Sequence, residues 1–163
     1  MTTHVERSAP TRLTITRRFN APPERVFAAH VDPELIRRWC FGPEGWRMSA
    51  CDNDARPGGR FRWDWEAVDG SARFHATGTY EVVEPPQDGR PGRIVHVERM
   101  FLPDPTPDNR VTTTFAPEGG GTLLTLVMEV ATPEAMDAMV ASGMADGMEA
   151  SYARLDALAP VAA

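Results

Sequence analysis

The closing stretch of the chain constrains the fold more than any other. From Thr132-Pro133 onward, Met136, Val140, Met144, Met148, Leu155 and Leu158 recur at helical spacing. At about 100° per residue they share one sector, and Asp146, Glu149 and Asp156 fall opposite. Thr132 suits an N-cap, and Pro133 suits the first helical position, where no amide donor is needed. The spacing predicts one long amphipathic helix. Gly143 and Gly147 lie within it, each costing roughly 1 kcal/mol relative to alanine. Glycines kept at that cost point to a close approach by a sheet, or by a ligand held between sheet and helix.

The preceding residues supply the sheet. Arg12–Phe19 alternates, with Leu13, Ile15 and Phe19 on one side. Ala21-Pro22-Pro23-Glu24 opens a short helix ending at His30, with Val26, Phe27 and His30 at helical spacing. Asp32-Pro33-Glu34 opens a second, capped by Asp32 and apolar at Leu35, Ile36 and Trp39. The period then becomes two. Strands are expected at Trp46–Asp54, Arg60–Glu66, Arg73–Val83, Ile94–Phe101, Arg110–Ala116 and Thr122–Val130. Phe61, Trp63 and Trp65 must share a face, as must Phe74, Ala76, Gly78, Tyr80 and Val82. Asp54 to Gly59 reads as a hairpin turn with a local Asp54–Arg56 pair; without a following Lys-Ser/Thr and helix it is not a phosphate loop. The fold class is α+β: a curved antiparallel sheet of about six to seven strands, two short helices after the first strand, and a covering C-terminal helix.

With 163 residues, of which 42% are hydrophobic, the chain fits one domain, expected over residues 11–159. Residues 1–10 read as a disordered lead and Pro160–Ala163 as a short tail. A net charge of -6 argues against nucleic acid as partner. No apolar run suits a membrane span or signal peptide, so the cytoplasm is the expected location. Cys40 and Cys51 lack metal-ligand spacing and are expected to be ordinary buried or half-buried thiols. No cofactor, metal site or catalytic triad is implied.

Local sequence adds to this pattern. Pro23-Glu24-Arg25-Val26-Phe27-Ala28-Ala29, Asp32-Pro33-Glu34-Leu35 with Arg38-Trp39, and Asp54-Ala55-Arg56-Pro57-Gly58-Gly59-Arg60-Phe61 are followed by Gly78-Thr79-Tyr80-Glu81-Val82, Gly120-Gly121-Thr122 and Gly147. In that order, across residues 12 to 158, they resemble the START-like, or helix-grip (SRPBCC), superfamily. The closest resemblance is to its bacterial branch named for homologues of the activator of the heat-shock-protein-90 ATPase. The resemblance implies a cavity between the concave sheet face and the long helix. Two positions depart from the family pattern. Cys40 follows Trp39 where a second tryptophan is usual, and Met148 follows Gly147 where Gly-Trp is usual. Both swaps remove an indole beside the implied cavity and make room in it.

Candidate ligand-binding residues are Trp39, Trp63, Trp65, Phe74, Arg99, Met100, Met128, Met144, Met148 and Tyr152, with Tyr152 or Arg99 as polar anchor. Leu102 to Asn109, with three prolines, is expected as a stiff lid. His30 is expected as a cation at a helix C-terminus, and His75 opposite Phe74 and Tyr80. His96 and Glu98 are expected as a solvent-facing cross-strand pair, and as an acid/base unit only if their face is concave. Three functions follow, in descending order: binding of a small hydrophobic or amphipathic molecule, a cavity enzyme of cyclase, dehydratase or hydrolase type, and a protein-interaction or co-chaperone-like module. A homodimer and a protein partner are left open by the residues.

Overall fold

The structure is a computed structural model describing residues 2–158. The expected tail Pro160–Ala163 lies outside the described residues. The expected strands and both short helices are present. They are β2 (Arg12–Phe19), α1 (Pro23–Val31), α2 (Pro33–Trp39), β3 (Trp46–Asn53), β4 (Arg60–Ala67), β5 (Arg73–Glu84), β6 (Gly92–Phe101), β7 (Asn109–Glu118) and β8 (Gly121–Glu129). Asp32 caps α2 through its side chain, accepting from the Glu34 amide at 2.9 Å. The Asp54 carboxylate accepts from Arg56 in the β3–β4 turn, as expected.

Residues 4–9 are ordered, contrary to the expected lead. They form β1 (His4–Ala9), antiparallel to β2. Its sequence, HVERSA, carries little apolar signal, and tertiary contacts hold it. Val5 packs on the core, while Thr3 and Arg7 bond Glu149 and Asp137 in the C-terminal segment. The sheet is therefore eight-stranded and antiparallel, in the order β1-β2-β8-β7-β6-β5-β4-β3. Pairing of β2 with β8 joins the two ends of the chain, and the helices after β2 carry it to the opposite edge.

Two further expectations change. An irregularity in the β5–β6 register between Tyr80 and Val82 reverses the alternation, so Val83 rather than Val82 packs on the core. The C-terminal segment is not one continuous helix. It is α3 (Pro133–Ala141), capped by Thr132, and α4 (Met144–Leu158), separated at Gly143, whose φ is +79°. Gly143 is thus required for its left-handed backbone and not for close approach, since a Cβ there would meet nothing within 4 Å. The break also shifts the helical phase. Met136, Leu155 and Tyr152 are buried, whereas Val140, expected on the same face, is 48% exposed.

The inward face of β2 carries Leu13, Ile15, Arg17 and Phe19, all buried. Arg17 is the exception in type. It holds α4 to the sheet through Glu149 (3.2 Å) and Asp156 (3.4 Å). In β5, a Cβ on Gly78 would lie 2.2 Å from the Phe61 ring and 2.6 Å from the Val97 carbonyl oxygen. That glycine lets an aromatic of β4 lie across its neighbouring strand.

Candidate functional site

Sheet and helices do not close on one another over β4 to β8. They leave a cavity of about 560 Å³, within the range of small-molecule sites. Trp63 and Trp65 of β4 and Phe74 of β5 form one wall, Met100 of β6 and Met128 of β8 the floor, and Met144, Met148 and Tyr152 of α4 the roof. Trp39 closes the α2 end. Of the residues expected to bind ligand, all but Arg99 line this one space.

The indoles are fixed before any ligand arrives. Trp39 Nε1 donates to the Ala29 carbonyl (2.9 Å), Trp65 Nε1 to the Cys40 carbonyl (2.7 Å) and Trp63 Nε1 to Asn53 Oδ1 (3.2 Å). Asn53 Oδ1 also accepts from the Tyr80 hydroxyl at 2.6 Å. Trp39 stacks on Tyr152 with ring centroids 5.9 Å apart, and Trp65 on Phe74 at 4.9 Å. With their N–H groups satisfied, these rings offer π faces and apolar edges.

Arg99 is not in the cavity. It shares the convex face with Val97 and Phe101, beside a separate groove, and pairs with Asp108 at 2.7 Å. The alternation of β6 requires this, because Met100 faces inward. By the same parity His96 and Glu98 face inward too, correcting the expectation of a solvent-facing pair. His96 Nε2 and Glu98 Oε1 are 2.7 Å apart, and both residues line the cavity. His96 is 9% exposed, with its Nδ1 buried and unpartnered among the described residues. Glu98 Oε2 has no protein partner among them either. Parity with Met100 was the sequence signal for this pair.

His30 also lines the cavity, a placement not expected from the sequence. Its Nδ1 lies 2.7 Å from the Val26 carbonyl, and its ring packs against Trp39 and Phe115. Burial is the main cause pushing its pKa down to about 4, outweighing the backbone hydrogen bond that favours the cation. It is therefore a neutral imidazole at pH 7, not the expected helix-terminal cation. Nδ1–H donates to Val26, and Nε2 is left as an acceptor. Burial likewise pushes the Tyr152 phenol up, and the Cys40 thiol up to about 12. Both cysteines are free, as expected.

The cavity reaches the surface between the α3–α4 junction and the loop after α2, where Ser142, Gly143, Asp146, Gly42 and Pro43 line it. A Cβ on Gly147 would stand 3.8 Å from Pro43, so α4 passes close to this loop. Leu102 to Asn109, expected as a lid, contributes nothing to the lining. That loop folds back on β6 through Thr106 and Met100.

The family model for activator of Hsp90 ATPase homolog 1-like proteins matches residues 20–159. The chain belongs to this family. The crystal structure of a protein from Rhodobacter sphaeroides is 34% identical over 97% of both chains, with a TM-score of 0.87. One from Chromobacterium violaceum is 29% identical over 92% of this chain and 98% of that one, with a TM-score of 0.75. The solution structure of an AHSA1-like protein from Aeromonas hydrophila is 28% identical over 90% of this chain and 92% of that one, with a TM-score of 0.70. Among curated proteins, none matches. The chain's own arrangement, a curved antiparallel sheet over a C-terminal helix, is the helix-grip fold, and it superposes on the first of these structures over nearly its whole length. No helix of the described residues is long and apolar enough to cross a membrane.

Proposed function

We propose that the protein binds a small hydrophobic or amphipathic molecule between sheet and α4. The cavity of about 560 Å³ carries this reading, because its aromatic and thioether walls leave apolar surface unfilled. The methionines of α4 supply flexible contact that adapts to a ligand's shape. Met148 stands where relatives usually place an indole, so the space is enlarged by this chain's own residue.

Native mass spectrometry and thermal melting against a panel of lipids, polyketide-like aromatics and medium-chain amphiphiles test the reading. A bound ligand should raise the melting temperature and change the emission of the lining tryptophans. Met148→Trp should narrow the space and weaken both effects in a folded protein. Absence of any bound species and any thermal shift across the panel would overturn it.

A second reading has one observation in its favour. His96 and Glu98 lie inside the cavity, which is the placement an acid/base pair requires. Turnover of a bound ligand by the wild type and not by His96→Gln would convert the carrier into an enzyme. No comparable feature favours the co-chaperone-like function.

A further inference from the structure

The charge of the cavity narrows what can occupy it. Its described carboxylates are Glu98 and Asp146, no arginine or lysine lies in the described lining, and the imidazole of His96 is bonded to Glu98 at one oxygen. The arginines nearest to hand are committed elsewhere. Arg99 pairs with Asp108 on the convex face, and Arg17 is held by Glu149 and Asp156. Arg154 donates to the Gly42 carbonyl at 2.6 Å and lies 3.8 Å over the Phe41 ring, behind the lining. His30, held neutral, offers a lone pair and no charge.

An anionic head group entering this space would lose its hydration and meet the Glu98 carboxylate and π faces, with the Thr113 and Tyr152 hydroxyls as donors but no arginine or lysine among the described lining residues to balance its charge. A cationic head meets the opposite situation. Glu98 is fixed by His96 at Oε1 and has Oε2 free among the described residues. The indoles of Trp63 and Trp65 line the same wall, and electron-rich aromatic rings attract cations. Asp146, exposed at the mouth, adds attraction along the entry path.

We propose that the ligand is a cationic amphiphile, an alkyl or aryl chain carrying an ammonium-type head, with Glu98 as its counter-charge. The inference rests on the carrier function proposed above and names its substrate class. It also replaces the carboxylate ligand that an Arg99 anchor would have implied.

The test uses three probes sharing a ten-carbon chain: decyltrimethylammonium, 1-decanol and decanoate. Each is titrated into the full-length protein at pH 7.5 below its micellar concentration, with tryptophan emission and calorimetry as readouts. The cation should bind at least 10-fold more tightly than the alcohol, and decanoate most weakly. Glu98→Gln, which keeps an acceptor for His96, should bring the cation to the alcohol's affinity and leave the alcohol unchanged. Met100→Lys places an ammonium beside Glu98 and should erase the preference by a second route. Decanoate binding as tightly as the cation, or a preference that survives both substitutions, would overturn the head-group assignment while leaving the carrier function standing. Failure of all three probes to bind would overturn the head-group assignment, and the same failure across the wider panel would overturn the carrier function with it.

Discussion

His30 makes the stability of this protein depend on pH in a way that one substitution isolates. The ring is packed against Trp39 and Phe115 and spends Nδ1–H on the Val26 carbonyl. Burial brings its pKa from the ordinary 6.5 to about 4. Between those values the unfolded chain takes up a proton that the folded chain refuses. The contribution is therefore complete above pH 6.5, declines as the pH falls through the window, and levels off below about 4. The gap corresponds to roughly 3 kcal/mol, and water entering the cavity lowers the expected figure to about 2 kcal/mol. Carboxylates titrate in part of the same range, so the informative quantity is the difference between wild type and His30→Gln. Urea unfolding of both at pH 7, 5.5 and 4 should show the wild type losing about 2 kcal/mol relative to the variant. Parallel pH curves would show that the imidazole is as freely protonated in the folded protein as in the unfolded one. That result would refute the burial argument.

Three other perturbations have defined outcomes. Arg17→Met leaves Glu149 and Asp156 facing the sheet without a cation and should cost about 2–3 kcal/mol, less than for a fully buried pair because both carboxylates touch solvent; a loss under about 0.5 kcal/mol in urea melts would contradict it. The same variant should lose less stability in acid. Burial pushes the Glu149 carboxyl up, but bonds from Arg17 and Thr3 outweigh it and hold the group below the usual 4.5, so its contribution is present above that value and disappears as pH falls through the lowered one. Gly78→Ala should destabilise by about 1–3 kcal/mol through the clash with Phe61 and the Val97 carbonyl, and neutral chemical melts would refute the close packing. Burial holds Cys40 at about 12 and Cys51 at about 11, so iodoacetamide at pH 8 should label neither until urea is added; rapid labelling of the native protein would be inconsistent with either value.

How legible the site was depended on how each residue announces itself. Trp63, Trp65, Phe74 and Met100 alternate along continuous strands, so a single inward neighbour fixes the face of the rest. Parity likewise places His96 and Glu98 inside, although their polarity suggested solvent. The reversal after Tyr80 could not be read, because an irregular register is a property of paired strands and the sequence shows only one of them. Gly143 and Gly147 look alike in the helical pattern. The structure separates them by backbone angle, one at +79° breaking the helix and the other passing Pro43.

The sequence by itself determined the order of the elements, the caps at Asp32 and Thr132, and an apolar stripe on each of several strands and on the C-terminal segment. These follow from periods of two and about 3.6 residues, which are local and survive in one dimension. The tertiary structure decided what those stripes enclose. It recruited the polar segment His4–Ala9 as an edge strand, sent Arg99 outward to Asp108, and brought His30, His96 and Glu98 from distant positions around one space. Enclosed volume and its charge arise from non-local sums over β4 to β8, α2 and α4. No window of sequence contains them, because the residues that meet there, from His30 to Tyr152, lie far apart along the chain and are joined only by packing.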